Sequence, residues 1–222
     1  MKDAERMAAG NPVSGSLVCA GFQTEGRGRI PGRRWIGRRG ESLLFTVIFR
    51  TEDIPFELTL FPFFAGCAVS EALEKLCCIR SQIKWPNDII AHGGKLSGIY
   101  CEMTDGFILC GIGINILQDT FATDSKFPPC SVRSLTGKAP ENGILLQAVL
   151  ETMQKNLSDP DWRARGEKIL FRLGDEVLFA PGAPGSEELV RGKIAGLGEY
   201  GQLIMELPDG NRTDIYSGEI YL

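Results

Sequence analysis

Histidine is almost missing from this chain: of 222 residues only His92 is one, and it stands directly before Gly93 and Gly94. In that glycine turn it reads as solvent-facing rather than as a catalytic base. Long apolar runs are missing as well. The longest, "SLLFTVIF" and "FPFFAGCAV", fall far below the roughly 20 residues that a membrane span requires, so no membrane partner is expected. The opening "MKDAERMAAG" is charged rather than apolar, which argues against a signal peptide and predicts a cytoplasmic protein. The seven cysteines (19, 67, 77, 78, 101, 110 and 130) are odd in number and lack paired zinc spacing. In such a compartment they read as reduced, mostly buried thiols, with Cys77-Cys78 part of the core rather than a nucleophile. The Asn-x-Ser/Thr matches at Asn156 and Asn211 are idle without secretion. An excess of positive charge is also absent: the formal net charge is −4 and the pI near 5.2, which argues against a general nucleic-acid coat. Two phosphate-binding loops can be excluded. The Gly-Lys pairs at 94–95, 137–138 and 192–193 are followed by Leu, Ala and Ile, not by the Ser/Thr of a Walker A loop. Gly26, Gly28 and Gly32 are spaced one residue too wide for a dinucleotide fingerprint and open no helix.

What is present is an ordinary globular composition, 43% hydrophobic and 23% charged, with no repeats and no low-complexity tracts. "DAERMAA" before Gly10 predicts a short helix, and "SLVCA" and "SLLFTVIFR" predict strands. Residues 62–78 open on a proline and carry helical spacing, which predicts a largely buried helix. "SQIKWP", "DIIAH", "KLSGIYCEM" and "FILCGIGINI" are separated by Gly93-Gly94 and Asp105-Gly106, the pattern of an antiparallel meander. Residues 116–140 read as a loop and 141–157 as a second long helix. After "SDPDW" the texture changes to short strands with glycine turns, as in a small barrel. The expected division is a catalytic domain over 1–170 and a small domain over 171–222.

Three stretches carry chemistry. "GRGRIPGRRW", residues 26–35, packs four arginines and three glycines into ten positions of an acidic chain. Alone it would pass for a solvated basic loop; such guanidinium groups can also grip phosphate bidentately. "KWPNDIIAHGGKLSGIYCE", residues 84–102, crowds Lys84, Asn87, Asp88 and Lys95 into an otherwise apolar hairpin. Charges there are expensive unless paired or facing a ligand. Lys84 and Lys95 as plain hairpin-edge charges, and Trp35 and Trp85 as plain packing residues, are the bland readings. "GIGIN", residues 111–115, adds two glycines and Asn115.

Taken together, "QTEGRGRIPGRRW", "KWPNDIIAHGGKLSGIYCE" and "GIGINI" resemble, in order and spacing, the catalytic module of the biotin protein ligases, also called biotin–[acetyl-CoA-carboxylase] ligases. "FPPCSVRSLTGK" at 127–138 resembles a later segment of that family, and residues 171–222 its SH3-like C-terminal domain. The fold this implies is α+β, a mixed, mostly antiparallel sheet with packed helices of the class II synthetase/biotin ligase type, followed by a small SH3-like β-barrel. The activity implied has two steps: biotin attacks the α-phosphate of ATP to give biotinyl-5′-AMP, and a lysine of a biotin carboxyl carrier protein then takes the biotinyl group. Loop arginines would screen the repulsion between carboxylate and polyphosphate, and glycines would let the loop close and exclude water. By the same resemblance Gln23, Gly26, Arg27, Gly28, Arg29, Lys95 and Gly98 would bind biotin. Trp35, Lys84, Asn87 and Asn115 would serve the nucleotide, and Lys95, Asp88 and Arg29 would be catalytic. Mg²⁺ would come with ATP, near Asp88, without direct protein ligation. A homodimer is left open and DNA is not expected, because no helix-turn-helix precedes the first motif.

Two departures from the family pattern are visible. Ile30-Pro31 lengthens the arginine loop by one residue, which bears on Arg33 and Arg34. "MKDAERMAAG" resembles the continuation of a Ser-Thr-Asn/Met-type segment, so a Ser-Thr pair is expected just ahead of Met1, and a chain extended upstream to include it should bind biotin more tightly. The rival readings are a non-catalytic biotin- or nucleotide-binding module of the same fold, and a lipoate or octanoate ligase or transferase.

Overall fold

The computed structural model describes residues 1–29, 35–121, 128–182 and 189–221. A first antiparallel sheet is built from β1 (Ser16–Ala20), β2 (Ser42–Arg50), β3 (Gln82–Lys84), β4 (Asp88–Ala91), β5 (Gly94–Thr104) and β6 (Phe107–Asn115), in the order β1-β2-β6-β5-β4-β3. The helices are α1 (Lys2–Ala8), α2 (Phe61–Cys77), α3 (Val132–Thr136), α4 (Asn142–Leu157) and α5 (Trp162–Glu167). A second sheet holds β7 (Glu176–Pro181), β8 (Val190–Leu197), β9 (Leu203–Glu206), β10 (Arg212–Ile215) and β11 (Gly218–Tyr221), in the order β10-β9-β8-β7-β11. All pairings between these strands are antiparallel; among the described residues parallel pairing is confined to the isolated bridges Ile83–Leu170 and Lys95–Pro129. None of the described helices is long and apolar enough to cross a membrane.

The continuous apolar run of β2 is explained by burial on both faces, with every residue from Ser42 to Phe49 buried. One face of the sheet presents Phe45, Val47, Ile99, Cys110, Ile112 and Ile114 to the core shared with α2, on whose far side lies α4. α2 is apolar nearly all round because it lies between that sheet, α4 and α5. Phe61 and Phe64 at its start are fully buried, each worth about 1.5–3 kcal/mol of apolar transfer. The Phe64 ring meets Trp162 of α5 edge-on at 5.2 Å. On the other face of the sheet Ala4 and Ala8 of α1 pack on Ile48, Phe107 and Leu109 at one end.

Two elements go beyond the sequence reading. The stretch read as a loop over 116–140 contains α3, whose start is a capping box: Ser131 Oγ accepts from the Ser134 amide at 3.0 Å, and Ser134 Oγ accepts from the Ser131 amide at 2.9 Å. α5, only six residues long, is too short for periodicity to detect and is held by Trp162 in the aromatic core. The final stretch, "RTDIYSGEIYL", forms two strands, β10 and β11, divided at Tyr216-Ser217. The sheet order leaves these two at opposite edges.

The cysteines are all free, as expected, but not all sheltered: Cys67, Cys110 and Cys130 are buried, Cys77 and Cys101 half-buried, Cys19 and Cys78 exposed. Burial pushes the Cys130 thiol up to about 11. Cys78 is no core residue; it ends α2 in the left-handed conformation at φ 54°, which L-residues other than glycine and asparagine rarely adopt. Cys78→Gly should therefore stabilise the chain by about 1 kcal/mol, the αL strain relieved less the entropy glycine returns to the unfolded chain. Chemical denaturation would show a higher midpoint at unchanged slope; a lower midpoint would mean that the thiol makes a compensating contact.

Candidate active site

Beyond α1, the same face of the first sheet is floored by glycine. Along β6 the side chains alternate, with Ile112 and Ile114 in the core and Gly111 and Gly113 on the opposite face. Gly113 pairs with Gly98 of β5, and Gly98 with Asp88 of β4. The indole of Trp35 lies flat in the slot so formed. A Cβ on Gly113 would stand 2.9 Å from Trp35 Cε2, and one on Gly98 would stand 3.1 Å from Trp35 Cζ3. Only a residue without a side chain lets the ring approach this closely. Trp35 Nε1 is buried and has no acceptor among the described residues.

Lys95 reaches the same slot because the strand breaks its alternation. Gly98, Tyr100 and Glu102 share one face of β5, so the odd-numbered Lys95 would regularly face the core. A bulge intervenes: Ile89 pairs with Ser97 but Ile90 with Lys95, so Leu96 is an extra residue and the parity flips. Leu96 takes the core position, fully buried. The Lys95 ammonium comes 3.5 Å from a Cβ built on Gly98 and 2.6 Å from Asp88 Oδ1. The Lys95 and Asp88 side chains are 30% and 21% exposed, sheltered yet reachable.

The backbone of Lys95 is clamped from both sides. Its N–H donates to Pro128 O and its C=O accepts from Cys130 N, both at 2.9 Å. Asn115 secures the clamp: Nδ2 donates to Cys130 O at 3.0 Å and to Lys95 O at 3.4 Å, while Oδ1 accepts from Gln118 Nε2 at 3.2 Å. Asn87 is likewise engaged within the hairpin, donating from Nδ2 to Ile99 O at 2.7 Å. Lys84, on the edge strand β3 opposite Asp88, is buried rather than solvated. Trp85 is also buried, and its Nε1 donates to Gly201 O of the C-terminal segment at 2.9 Å. It is a packing residue that docks the second sheet.

The glycine–arginine stretch is less gathered. Gly26 is buried beneath the Trp35 carbonyl, Gly28 is half-buried, and Gln23 is exposed. Arg27 stands 3.8 Å from Glu102, whose carboxylate also accepts from Tyr100 OH at 2.8 Å. That hydrogen bond, followed by desolvation, raises the Tyr100 pKa. Arg29 reaches the other sheet, donating from Nη2 to Gly218 O at 2.9 Å. Arg33, Arg34, Ile30 and Pro31 lie outside the described residues. Among the described residues no group of three or more His, Cys, Asp or Glu side chains is arranged to hold a metal ion. A cleft of about 430 Å³ lined by Ile54, Phe56, Leu60, Arg163 and Glu199 includes none of the residues named for the site.

The structure thus brings Lys95, Asp88, Trp35 and Gly98 into one cluster, buttressed by Asn115 and Asn87, with two arginines tethered at the edges of their loop. Sequence reasoning missed the clamp at Pro128 and Cys130 and the contacts of Trp85 and Arg29 with the second sheet. The Trp35 indole fills the glycine slot, and the ammonium–carboxylate pair beside it offers a cation to a ligand's anion.

The comparisons with known proteins give the class of protein to which this site belongs. The model of the biotin/lipoate A/B protein ligase family matches residues 3–119. The bifunctional ligase/repressor BirA of Bacillus spizizenii is 30% identical over 233 residues, covering 100% of this chain and 70% of that protein. Biotin–[acetyl-CoA-carboxylase] ligase of Mycobacterium tuberculosis is 29% identical over 228 residues, covering 96% of this chain and 80% of that protein. A solved structure of biotin protein ligase from Aquifex aeolicus in complex with biotin and ATP shares the fold with a TM-score of 0.83 at 30% identity, over 98% of this chain and 92% of that one. The chain belongs to the biotin/lipoate A/B protein ligase family.

Proposed function

We propose that this chain is an ATP-dependent biotin ligase. In the first step a biotin carboxylate oxygen attacks the α-phosphorus of ATP, giving biotinyl-5′-AMP and releasing pyrophosphate. In the second, the ε-amine of a lysine on a biotin carboxyl carrier protein attacks the biotinyl carbonyl and AMP leaves. The observation that carries this reading is the Lys95–Asp88 pair at 2.6 Å beside the slot of Gly98, Gly113 and Trp35, in a chain similar over nearly its whole length to a ligase solved with biotin and ATP.

Each residue then has work suited to its chemistry. Lys95 draws carboxylate and α-phosphate together by cancelling their repulsion, and stabilises the charge on phosphorus as the bond forms. Asp88, parted from Lys95 when that cation turns to the anions, is left as a carboxylate able to accept the proton of the incoming amine. Arg27 and Arg29 meet the phosphates and, with Gly26 and Gly28, close over the adenylate, which would hydrolyse in contact with water. Trp35 forms the wall between the biotin and adenine ends, and its Nε1, without an acceptor among the described residues, has a donor to offer a ligand. Asn115, Asn87 and Lys84 act by holding Lys95 and Asp88 in place. Asp88 would offer a carboxylate to the Mg²⁺ that accompanies the ATP phosphates. Gln23 is proposed for the biotin end. The same substrates and the free thiols make the cytoplasm the proposed compartment, and we divide the chain into a catalytic part over 1–170 and an assisting part over 171–222.

Incubation with biotin, ATP and Mg²⁺, followed by mass spectrometry, should yield biotinyl-AMP, and pyrophosphate exchange should depend on biotin. Biotin binding without exchange would point to a non-catalytic module. Exchange driven by lipoate and not by biotin would reassign the substrate.

A further inference from the structure

Arg29 and Gly218 are 189 residues apart, yet Arg29 Nη2 donates to the Gly218 carbonyl at 2.9 Å. Gly218 is a position that only glycine fits. Its φ is +152°, and a Cβ there would run into Phe179 Cζ and the Ala180 carbonyl and lie 2.8 Å from Phe179 Cε1. Phe179 is fully buried in β7, beside β11. Its ring stands 6.4 Å from Trp85, and the Trp85 indole is in turn bonded to Gly201 O. A rigid path therefore runs from the strand that leads into Asn87-Asp88, through Trp85 and Phe179, to the carbonyl that holds Arg29.

We propose that the main-chain carbonyl of Gly218, presented by the C-terminal sheet, is a positioning group for Arg29, orienting its guanidinium toward the phosphates of ATP. The proposal rests on the reading of Arg29 as a phosphate ligand. A guanidinium has five N–H donors in a planar fork, so one can stay on the carbonyl while the others take phosphate oxygens. The anchor removes most of the rotational freedom that a long side chain would otherwise lose when the nucleotide binds. It also gives the C-terminal sheet a part in the first half-reaction.

Gly218→Ala, which must move the carbonyl, should lower kcat/KM for ATP in pyrophosphate exchange by roughly ten- to a hundred-fold, the range for a hydrogen bond to a charged group. Biotin affinity by calorimetry should stay within about two-fold. In an Arg29→Ala background the same substitution should add nothing, because its target is gone. If the two effects multiply, or if biotin affinity falls in step with kcat/KM, Gly218 does not act through Arg29 and the anchor is refuted. Should Arg29→Ala exchange at the unmutated rate, the reading of Arg29 itself fails and the anchor with it. Because Gly218→Ala strains the sheet, the unmutated protein supplies a second measurement. With biotin and a non-hydrolysable ATP analogue bound, the Arg29 Nη–H groups should give separate NMR signals, identified by their loss in Arg29→Lys. A single averaged signal would overturn the anchor.

Discussion

Lys95→Ala should slow formation of biotinyl-AMP by roughly 10²–10³-fold, the scale of losing one preorganised charge donor at a developing anion. The loss belongs to chemistry rather than folding, because the position of Lys95 does not depend on its ammonium. Its N–H and C=O are pinned by Pro128 and Cys130, and Leu96, next along the bulge, is fully buried. Asp88 loses its partner but keeps 21% exposure, so water can replace much of the interaction and the stability change should stay within about 1 kcal/mol. Biotin-dependent pyrophosphate exchange isolates the first half-reaction. A folded Lys95→Ala chain exchanging near the unmutated rate would remove Lys95 from the catalytic role. Asp88→Asn should show the complementary pattern, with exchange retained better than transfer to the carrier lysine.

How much of this was legible beforehand depends on whether a feature is local. The elements with strong periodicity, α2, α4 and the meander β3 to β6, were readable because burial on one face or both imposes a repeat on the sequence. α3 left a fainter trace, since Ser131, Ser134 and Gly137 are its cap and its stop, but a five-residue helix has no period to detect. The alternation Gly-Ile-Gly-Ile over 111–114 announced a strand with one bare face, although counted only as glycines it looked like a failed phosphate loop. The side of β5 on which Lys95 emerges was beyond sequence reasoning: strict alternation points it into the core, and the bulge that reverses it depends on the pairing of β4 with β5. Asn115 illustrates a second limit. A polar residue beside motif glycines looks like a ligand contact, whereas its donors go to Lys95 O and Cys130 O. The burial of Trp85 and the reach of Arg29 are non-local in the same sense, since their partners Gly201 and Gly218 lie more than a hundred residues away in sequence.

Gly113→Val should abolish most of the adenylation activity while leaving the fold nearly intact. The backbone has no objection to the substitution: Gly113 lies within β6, between Gly98 of β5 and Leu44 of β2, and valine favours a strand where glycine does not. The core side of β6 is set by Ile112 and Ile114, which keep their places. All of the added volume goes into the slot. The first carbon alone would lie 2.9 Å from Trp35 Cε2 and 3.0 Å from Cζ2, so the indole must lift away before the two methyl groups are counted. A wall displaced by ~1 Å at a site that aligns two reactants costs on the order of 10²-fold in rate, and the filled slot should weaken ligand binding besides. The displacement can be seen directly. Trp85 and Trp162 are buried at 4% and 5% exposure, so they hold the fluorescence baseline while Trp35 emission shifts to the red. Gly111→Ala supplies the contrast on the same face: its Cβ would meet the Met1 thioether at 3.0 Å and the Tyr100 carbonyl at 3.3 Å, and the flexible methionine can yield, so the loss there should be under about ten-fold. If Gly113→Val exchanges pyrophosphate as well as Gly111→Ala does, the slot beneath Trp35 is not where the adenylate forms.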